Sequence, residues 1–215
     1  MSFPKTLPTA RIRPVMEAPP LRWGILGSGW IADKFVESVK AHTRQDIAAV
    51  GSRFRASAVA FAARWDIPGV YDSYEALVSA DDIDIIYVAS PHNMHCDHAL
   101  LAIEAGKHVL VEMPMALNFA QAQSMVTAAR RKGVFLAEAL WTYFLPKFDV
   151  LQQVLDAGAI GEIRSVYTEY GEYLPRDHRI FDANLAGGPL LDLGTYPVSL
   201  LKNFLACRIR LSVSV

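Results

Sequence analysis

Three short stretches carry the residue types from which chemistry could be built. The first is Gly27-Ser28-Gly29-Trp30-Ile31-Ala32, a G-x-G-x-x-A spacing that follows the apolar run LRWGIL (21–26) and precedes a helical pattern. Gly27 permits a tight turn. Gly29 lets backbone N–H groups approach a pyrophosphate at a helix N-terminus whose dipole favours anions, and Ala32 is small enough for close helix–sheet packing. With strand, turn and helix in this order the spacing reads as a dinucleotide cradle; the bland alternative is an ordinary strand–turn–helix with a convenient glycine pair. The second stretch ends the run IAAVGS (47–52), where Gly51-Ser52-Arg53 is followed closely by Arg55. An NAD site commonly carries Asp or Glu here to bind the ribose hydroxyls. A hydroxyl and a guanidinium suit a 2′-phosphate instead, held by paired charge-assisted bonds. NADP is therefore the expected cofactor and NAD the alternative; failing both, Arg53 and Arg55 are solvated loop charges.

The third stretch is HVLVEMPMALN (108–118), an apolar run that stops at Glu112. A carboxylate at the end of a buried strand is costly unless something there satisfies it. A helix N-terminus would be its bland partner. His92, His95 and His98 recur three apart, but no further Cys or carboxylate completes a cluster, so no metal is expected. For His95 the bland reading is a helix-capping or solvent role. Trp141 is read as lining the cofactor pocket or as a large core side chain. Arg176, Asp177, His178 and Arg179 are expected in a solvated loop.

The elements that must hold these residues can be read from the pattern. Short apolar runs at 21–26, 47–52, 70–72, 83–90, 107–112 and 134–140 alternate with helical segments near 30–42, 55–65, 73–80, 94–105 and 118–132. The run IDIIYVAS is continuous rather than alternating, as in a strand buried on both faces. Asn118 is positioned to cap the fifth helix with Gln121 at the reciprocal place, and Gly133 to stop it. Such alternation implies an α/β fold, a doubly wound parallel sheet with ligands at the carboxyl ends of its strands. Beyond Leu145 the pattern changes: a helix stopped at Gly158, one long strand over 162–173, and a glycine-rich turn leading into an apolar helix over 187–205. The expected division is an arm (1–20), a dinucleotide-binding Rossmann domain (21–144) and an incomplete α+β domain with antiparallel strands (145–215).

Composition narrows the class. The 215 residues are 52% hydrophobic and carry a net charge of −1, so no strong field draws nucleic acid or an anionic membrane. No apolar stretch approaches membrane-span length. Cys96 and Cys207 suggest no disulfide framework, and a reducing cytoplasm is the expected setting. Five prolines in the first twenty residues, without a continuous apolar centre, read as a mobile extended arm rather than a signal peptide.

Taken in order, the motifs resemble the glucose–fructose oxidoreductase/inositol dehydrogenase family, and within it the branch of dimeric dihydrodiol dehydrogenases. G-x-G-x-x-A stands at 27–32. The family's Thr-Pro-Asn-x-x-His element appears as Ser90-Pro91-His92-Asn93-Met94-His95, and its Glu-Lys-Pro signature as Glu112-Met113-Pro114. Trp-Thr-Arg-Phe-x-Pro appears as Trp141-Thr142-Tyr143-Phe144-Leu145-Pro146, and a glycine-rich stretch ends Asp192-Leu193-Gly194-Thr195-Tyr196-Pro197.

The resemblance implies an NADP(H)-dependent oxidoreductase passing hydride between a nicotinamide and a hydroxyl or carbonyl of a sugar-like or dihydrodiol-like substrate. By position Tyr196 is the acid/base, Asp192 orients substrate, Met113 occupies the place of the signature lysine, Glu112 faces the cofactor pocket and His95 lies near the nicotinamide or substrate. An ammonium beside a tyrosine favours the phenolate; a thioether does not. The alternatives are a cofactor-binding relative with impaired catalysis, and an interaction subunit that uses a sheet edge. A homo-oligomer paired through the C-terminal sheet is expected on the same ground. Family members extend further, and the tail RIRLSVSV (208–215) departs from them; it reads as a strand in need of a partner. Truncation, an altered reading of a longer gene and a fragment all remain open.

Overall fold

The computed structural model describes residues 5–204. The alternating tail at 208–215 and Cys207 lie outside the described residues. Contacts divide the chain into two compact units. One comprises Pro14–Ala139 with Ala183–Ala186; the other comprises the segment up to Arg13, Leu140–Asp182 and the chain from Gly187.

The first unit is built on a six-stranded parallel sheet in the order β3-β2-β1-β4-β5-β6. Its strands are β1 (Arg22–Leu26), β2 (Asp46–Gly51), β3 (Gly69–Tyr71), β4 (Ile85–Val88), β5 (His108–Val111) and β6 (Leu136–Glu138). The helices α1 (Trp30–His42), α2 (Arg55–Trp65), α3 (Tyr74–Val78), α4 (His95–Glu104) and α5 (Phe119–Lys132) connect them. This is the doubly wound Rossmann order, and the direction of winding reverses between β1 and β4. Two apolar layers sandwich the sheet. One gathers Leu77, Ile86, Val109, Ala99 and Met125 beneath α3, α4 and α5. The other gathers Ile25, Val36, Val50, Phe61 and Tyr87 beneath α1 and α2. Ile85–Val88 is buried at every position, which explains why its sequence does not alternate.

Local signals set the helix ends. Asn118 accepts from Gln121 N at 3.0 Å, and Gly133 stops α5 in the left-handed conformation at φ 68°. In return Leu117 N donates to Gln121 Oε1 at 3.0 Å, one residue before the position a capping box would use. Arg131 and Lys132 in the last turn both pair with Glu104 of α4.

In the second unit the helices are α6 (Pro146–Asp156), α7 (Pro189–Asp192) and α8 (Thr195–Phe204). The expected helix and its stop at Gly158 are present, with φ 68° at that glycine. The long strand expected over 162–173 is not: no ladder forms there, and Tyr167 and Tyr173 are 93% and 97% exposed. A strand needs a neighbour to take its N–H and C=O groups, and among the described residues this unit contains none. The antiparallel strands, and the sheet edge expected to pair copies of the chain, thus have no described element to rest on. The Pro-rich segment expected as a free arm is tied to α6: Arg11 N donates to Asp149 Oδ2 at 2.7 Å, its guanidinium reaches Oδ1 at 2.7 Å, and Gln153 donates to Thr9 O at 3.0 Å.

Candidate functional site

The winding reversal creates a crevice beyond the carboxyl ends of β1 and β4, and the glycine turn lies there. Gly27 adopts φ +103°, and a Cβ on it would stand 2.8 Å from Ala89 O, so the turn is pressed against the end of β4. Above Gly29, which begins α1, the space is open: an added Cβ would meet nothing within 4 Å. Trp30 is 63% exposed beside it, Ser28 and Ile31 are half-buried, and Ala32 is fully buried against the sheet.

At the end of β2, Ser52 is buried and its hydroxyl faces Phe54 N at 3.5 Å. Arg55 pairs with Asp72 just beyond β3, while Arg53 forms no ion pair among the described residues. Burial makes the Tyr74 hydroxyl harder to ionise, and Arg53 partly opposes the effect. Tyr74 meets His98 edge-on at 4.7 Å, and His98 Nδ1 lies 2.9 Å from Ser90 Oγ. Tyr74 was not singled out by sequence, since it lies in no motif, and His98 was weighed only as a metal ligand; the fold brings the two together.

The loops after β4 and β5 are joined by His95. Its Nε2 lies 2.8 Å from Ser90 O and its Nδ1 2.8 Å from Pro114 O. Both partners can only accept, so the imidazolium form satisfies both contacts. His92, also buried, meets the His95 ring edge-on at 5.4 Å, and Pro91 opens the short turn that carries it. Glu112 accepts from the Tyr87 hydroxyl of β4 and, at 3.2 Å, from Met113 N. Burial, then the Glu112 charge, pushes the Tyr87 hydroxyl well above its ordinary range, which keeps it a donor. On the other side of the Met113–Pro114 bond, which is cis, Met115 N donates to Glu138 Oε1 at 2.6 Å. Two carboxylates at the ends of β5 and β6 thus hold the backbone on both sides of residue 113. Tyr87 and Glu138 escaped sequence reading because their partners are non-local; the one signal was a hydroxyl within an otherwise apolar run.

Trp141, Asp192 and Tyr196 belong to the second unit. Trp141 is 59% exposed, and its indole N–H donates to the Tyr196 hydroxyl oxygen at 3.3 Å. Tyr170 lies against Tyr196 with ring centroids 5.0 Å apart. A hydrogen bond to Glu172 pushes the Tyr170 hydroxyl up to about 12. Asp192 is buried; its Oδ1 pairs with Arg179 at 2.5 Å and its Oδ2 accepts from Gly188 N at 3.2 Å. The loop expected to be solvated is therefore partly structural: Arg179 serves Asp192, and His178 Nδ1 accepts from Ile180 N at 3.2 Å. Tyr143, where the family pattern has Arg, braces α8 by donating to Ser199 O at 3.0 Å.

Among the described residues no group of His, Cys, Asp and Glu could hold a metal ion, and no helix is long and apolar enough to cross a membrane. Comparison with known proteins agrees with the fold. The profile of the oxidoreductase family with an NAD-binding Rossmann fold matches residues 21–140, and that of the GFO/IDH/MocA C-terminal domain matches 148–214. Trans-1,2-dihydrobenzene-1,2-diol dehydrogenase of Bos taurus is 41% identical over 82% of this chain and 53% of its own. That of Mus musculus is 42% identical over 85% and 55%. A 3-ketoreductase from Actinomadura kijaniata, solved with NADP and TDP-benzene, superposes with a TM-score of 0.77 at 31% identity, over 87% of this chain and 58% of its own. An aldose-aldose oxidoreductase from Caulobacter crescentus, complexed with glycerol, gives 0.76 at 28% identity, over 86% and 58%. The chain spans about half the length of the curated relatives it matches. By its sheet order, its glycine turn and these matches, the chain belongs to the GFO/IDH/MocA oxidoreductase family.

Proposed function

We propose that the chain binds NADP(H) and serves an oxidoreductase acting on a hydroxyl or carbonyl of a sugar-like or dihydrodiol-like small molecule. The observation that carries the reading is the open space above Gly29, at the N-terminus of α1 and beside the β1/β4 reversal. A pyrophosphate fits there, because a side chain would fill the same space and the first-turn N–H groups supply donors. Gly27, Ser28, Gly29, Trp30, Ile31 and Ala32 would form the cradle. Ser52 and Arg53 would hold the 2′-phosphate, since β2 ends without a carboxylate and Arg53 forms no ion pair among the described residues. Ser90, Pro91, His92, His95 and Glu112 would line the nicotinamide end. The relatives solved with NADP support this choice over NAD. When bound, the nicotinamide would give or accept a hydride.

The chain's own contribution is acid–base work and positioning. Tyr196 would exchange a proton between its phenolic oxygen and the substrate oxygen, with Asp192 orienting the substrate from its Arg179-bound position. A cytoplasmic setting suits the free, buried Cys96.

A second reading, binding with impaired catalysis, is favoured by one observation. Met113 has no charge, and no other lysine of residues 14–139 is at liberty to replace it. Lys34 pairs with Glu37, Lys132 with Glu104, and Lys40 and Lys107 donate to backbone carbonyls.

A fluorescence titration of the purified chain with NADPH, and in parallel with NADH, separates these readings. Tighter NADPH binding with turnover of a polyol or dicarbonyl supports the first reading. Binding without turnover supports the second. Failure to bind either cofactor would overturn both.

A further inference from the structure

His95 is wholly buried, at 0% exposed, in the first turn of α4. Its two ring nitrogens face two backbone carbonyl oxygens, Nε2 to Ser90 O and Nδ1 to Pro114 O, each at 2.8 Å. The Ser90 contact is local, five residues back along the turn that leads into α4. The Pro114 contact spans 19 residues and joins the loop after β5 to the loop after β4. A carbonyl oxygen has no proton to give, so each contact needs an N–H on the ring, and a neutral imidazole has only one. We infer that His95 is a positioning residue whose imidazolium form clamps the Met113–Pro114 segment to the end of β4, and that loss of its proton releases the clamp. The place of this segment beside a nicotinamide rests on the NADP reading above; the clamp itself stands on the two contacts.

In a neutral ring one nitrogen would present a lone pair to a carbonyl lone pair at hydrogen-bond distance, and one of the two contacts must then open. Ser90 O lies on the same short turn as His95, so the non-local contact to Pro114 is the one that yields. Charges around the ring set the balance. Against the proton stand His92, whose ring meets that of His95 at 5.4 Å, His98 one turn along α4, and the positive end of the α4 dipole. For it stand Asp97 in the same first turn and Glu112, two residues before Pro114. Glu112 accepts from the Tyr87 hydroxyl of β4 and from Met113 N, and Glu138 at the end of β6 accepts from Met115 N. From α3, Glu75 faces His98, and the first turn of α5 carries no acid. Burial disfavours the charge, and the two charge-assisted bonds offset it. The sign follows: the clamp is closed while the ring is protonated and opens as pH rises through the folded-state value of His95. Met113 N and Met115 N are bonded on either side of the clamped residue, so their amides report its state.

The test is NMR of the purified, isotope-labelled chain without cofactor, from about pH 6 to about 10. At pH 7 both ring nitrogens of His95 should carry protons, seen as the two near-equal nitrogen shifts of an imidazolium. Protection of the Met113 and Met115 amides against hydrogen exchange, corrected for the intrinsic rise with pH, should fall as that signal titrates. The fall expected is roughly tenfold to a hundredfold, the worth of one charge-assisted hydrogen bond. His95→Gln cannot titrate and should show the reduced protection already at pH 7, with no further fall. A singly protonated His95 at pH 7 would overturn the inference. So would protection that stays level while His95 titrates, a result that needs no variant. If His95 keeps its proton throughout, protection in H95Q equal to that of wild type would overturn the clamp. Titrations with NADPH and with 2′-phospho-ADP-ribose, which lacks the nicotinamide, separate this inference from the NADP reading. H95Q should weaken NADPH and leave the fragment unchanged; equal weakening of both would overturn the clamp's place at the nicotinamide end. Failure of wild type to bind either ligand would overturn the NADP reading, while the spectra still decide the clamp.

Discussion

Residue 113 is where the chain's chemistry departs from its family's pattern, and the loop around it is nonetheless fully braced. Met113 N donates to Glu112, Met115 N donates to Glu138, and Pro114 O faces His95. None of these bonds uses the side chain at 113, so the backbone should accept lysine there without rearrangement. Met113→Lys is expected to raise turnover of a carbonyl or polyol substrate on the order of 10² to 10⁴ while NADPH affinity changes little. Steady-state rates with a panel of dicarbonyls and polyols measure this; an unchanged rate with intact binding would remove the lysine argument. The Tyr87–Glu112 bond makes a separate prediction. Tyr87→Phe keeps the ring stacked on Phe35, at 3.9 Å between centroids, but removes a donor to a carboxylate. It should cost about 1.5–3 kcal/mol, read as a lower urea midpoint with unchanged slope. Of the candidate site, the glycine turn, the Ser52-Arg53 end and Glu112 stood out in sequence because each is local. Tyr87, Glu138 and Tyr74 did not, because the fold brings their partners from 23 or more residues away.

At the scale of elements, the clearest sequence signals were those that a segment satisfies by itself. Helix α5 has its cap at Asn118 and its stop at Gly133, and α1 and α2 run over the spans their patterns predict. The six parallel strands were legible because continuous apolar runs leave few other placements. The segment 162–173 has comparable β-propensity, yet forms no ladder among the described residues. Strand propensity measures fit to a neighbour, and sequence cannot show whether the neighbour is there. The β1–α1 turn is the element proposed to cradle the cofactor. Gly27→Ala would place a Cβ 2.8 Å from Ala89 O at φ +103°, where two backbones must separate. The expected result is destabilisation on the order of 1–3 kcal/mol together with loss of NADPH binding. Thermal unfolding with and without NADPH tests it: a variant still stabilised by NADPH as strongly as wild type would show that the turn is not the cradle.

For the whole molecule, each unit carries one exposed or half-exposed carboxylate that an arginine holds at about 2, well below its ordinary value. In the sheet unit it is Asp84, which accepts from Arg22 Nε at 3.0 Å and from Arg22 N at 2.8 Å, fastening the start of β1 to the start of β4. In the helical unit it is Asp149, which fastens the segment around Arg11 to α6. Hydrogen bonds from the arginines are the main cause in both. A depressed carboxylate contributes stability that is fully present above its unfolded value near ~4 and is lost as pH falls toward the folded value of about 2. Both units should therefore loosen in the same acid window, although different helices and strands build them. Solvent exposure keeps each contribution modest. The urea midpoint of wild type should be level from pH 7 to about 5 and fall between about 4 and 2. Asp84→Asn should start lower and fall less over that window, because it has no proton left to gain at that site. Equal acid slopes in wild type and D84N would mean that Arg22 orders the strand end without stabilising the fold, and the acid sensitivity would then have to come from carboxylates elsewhere in the sheet unit.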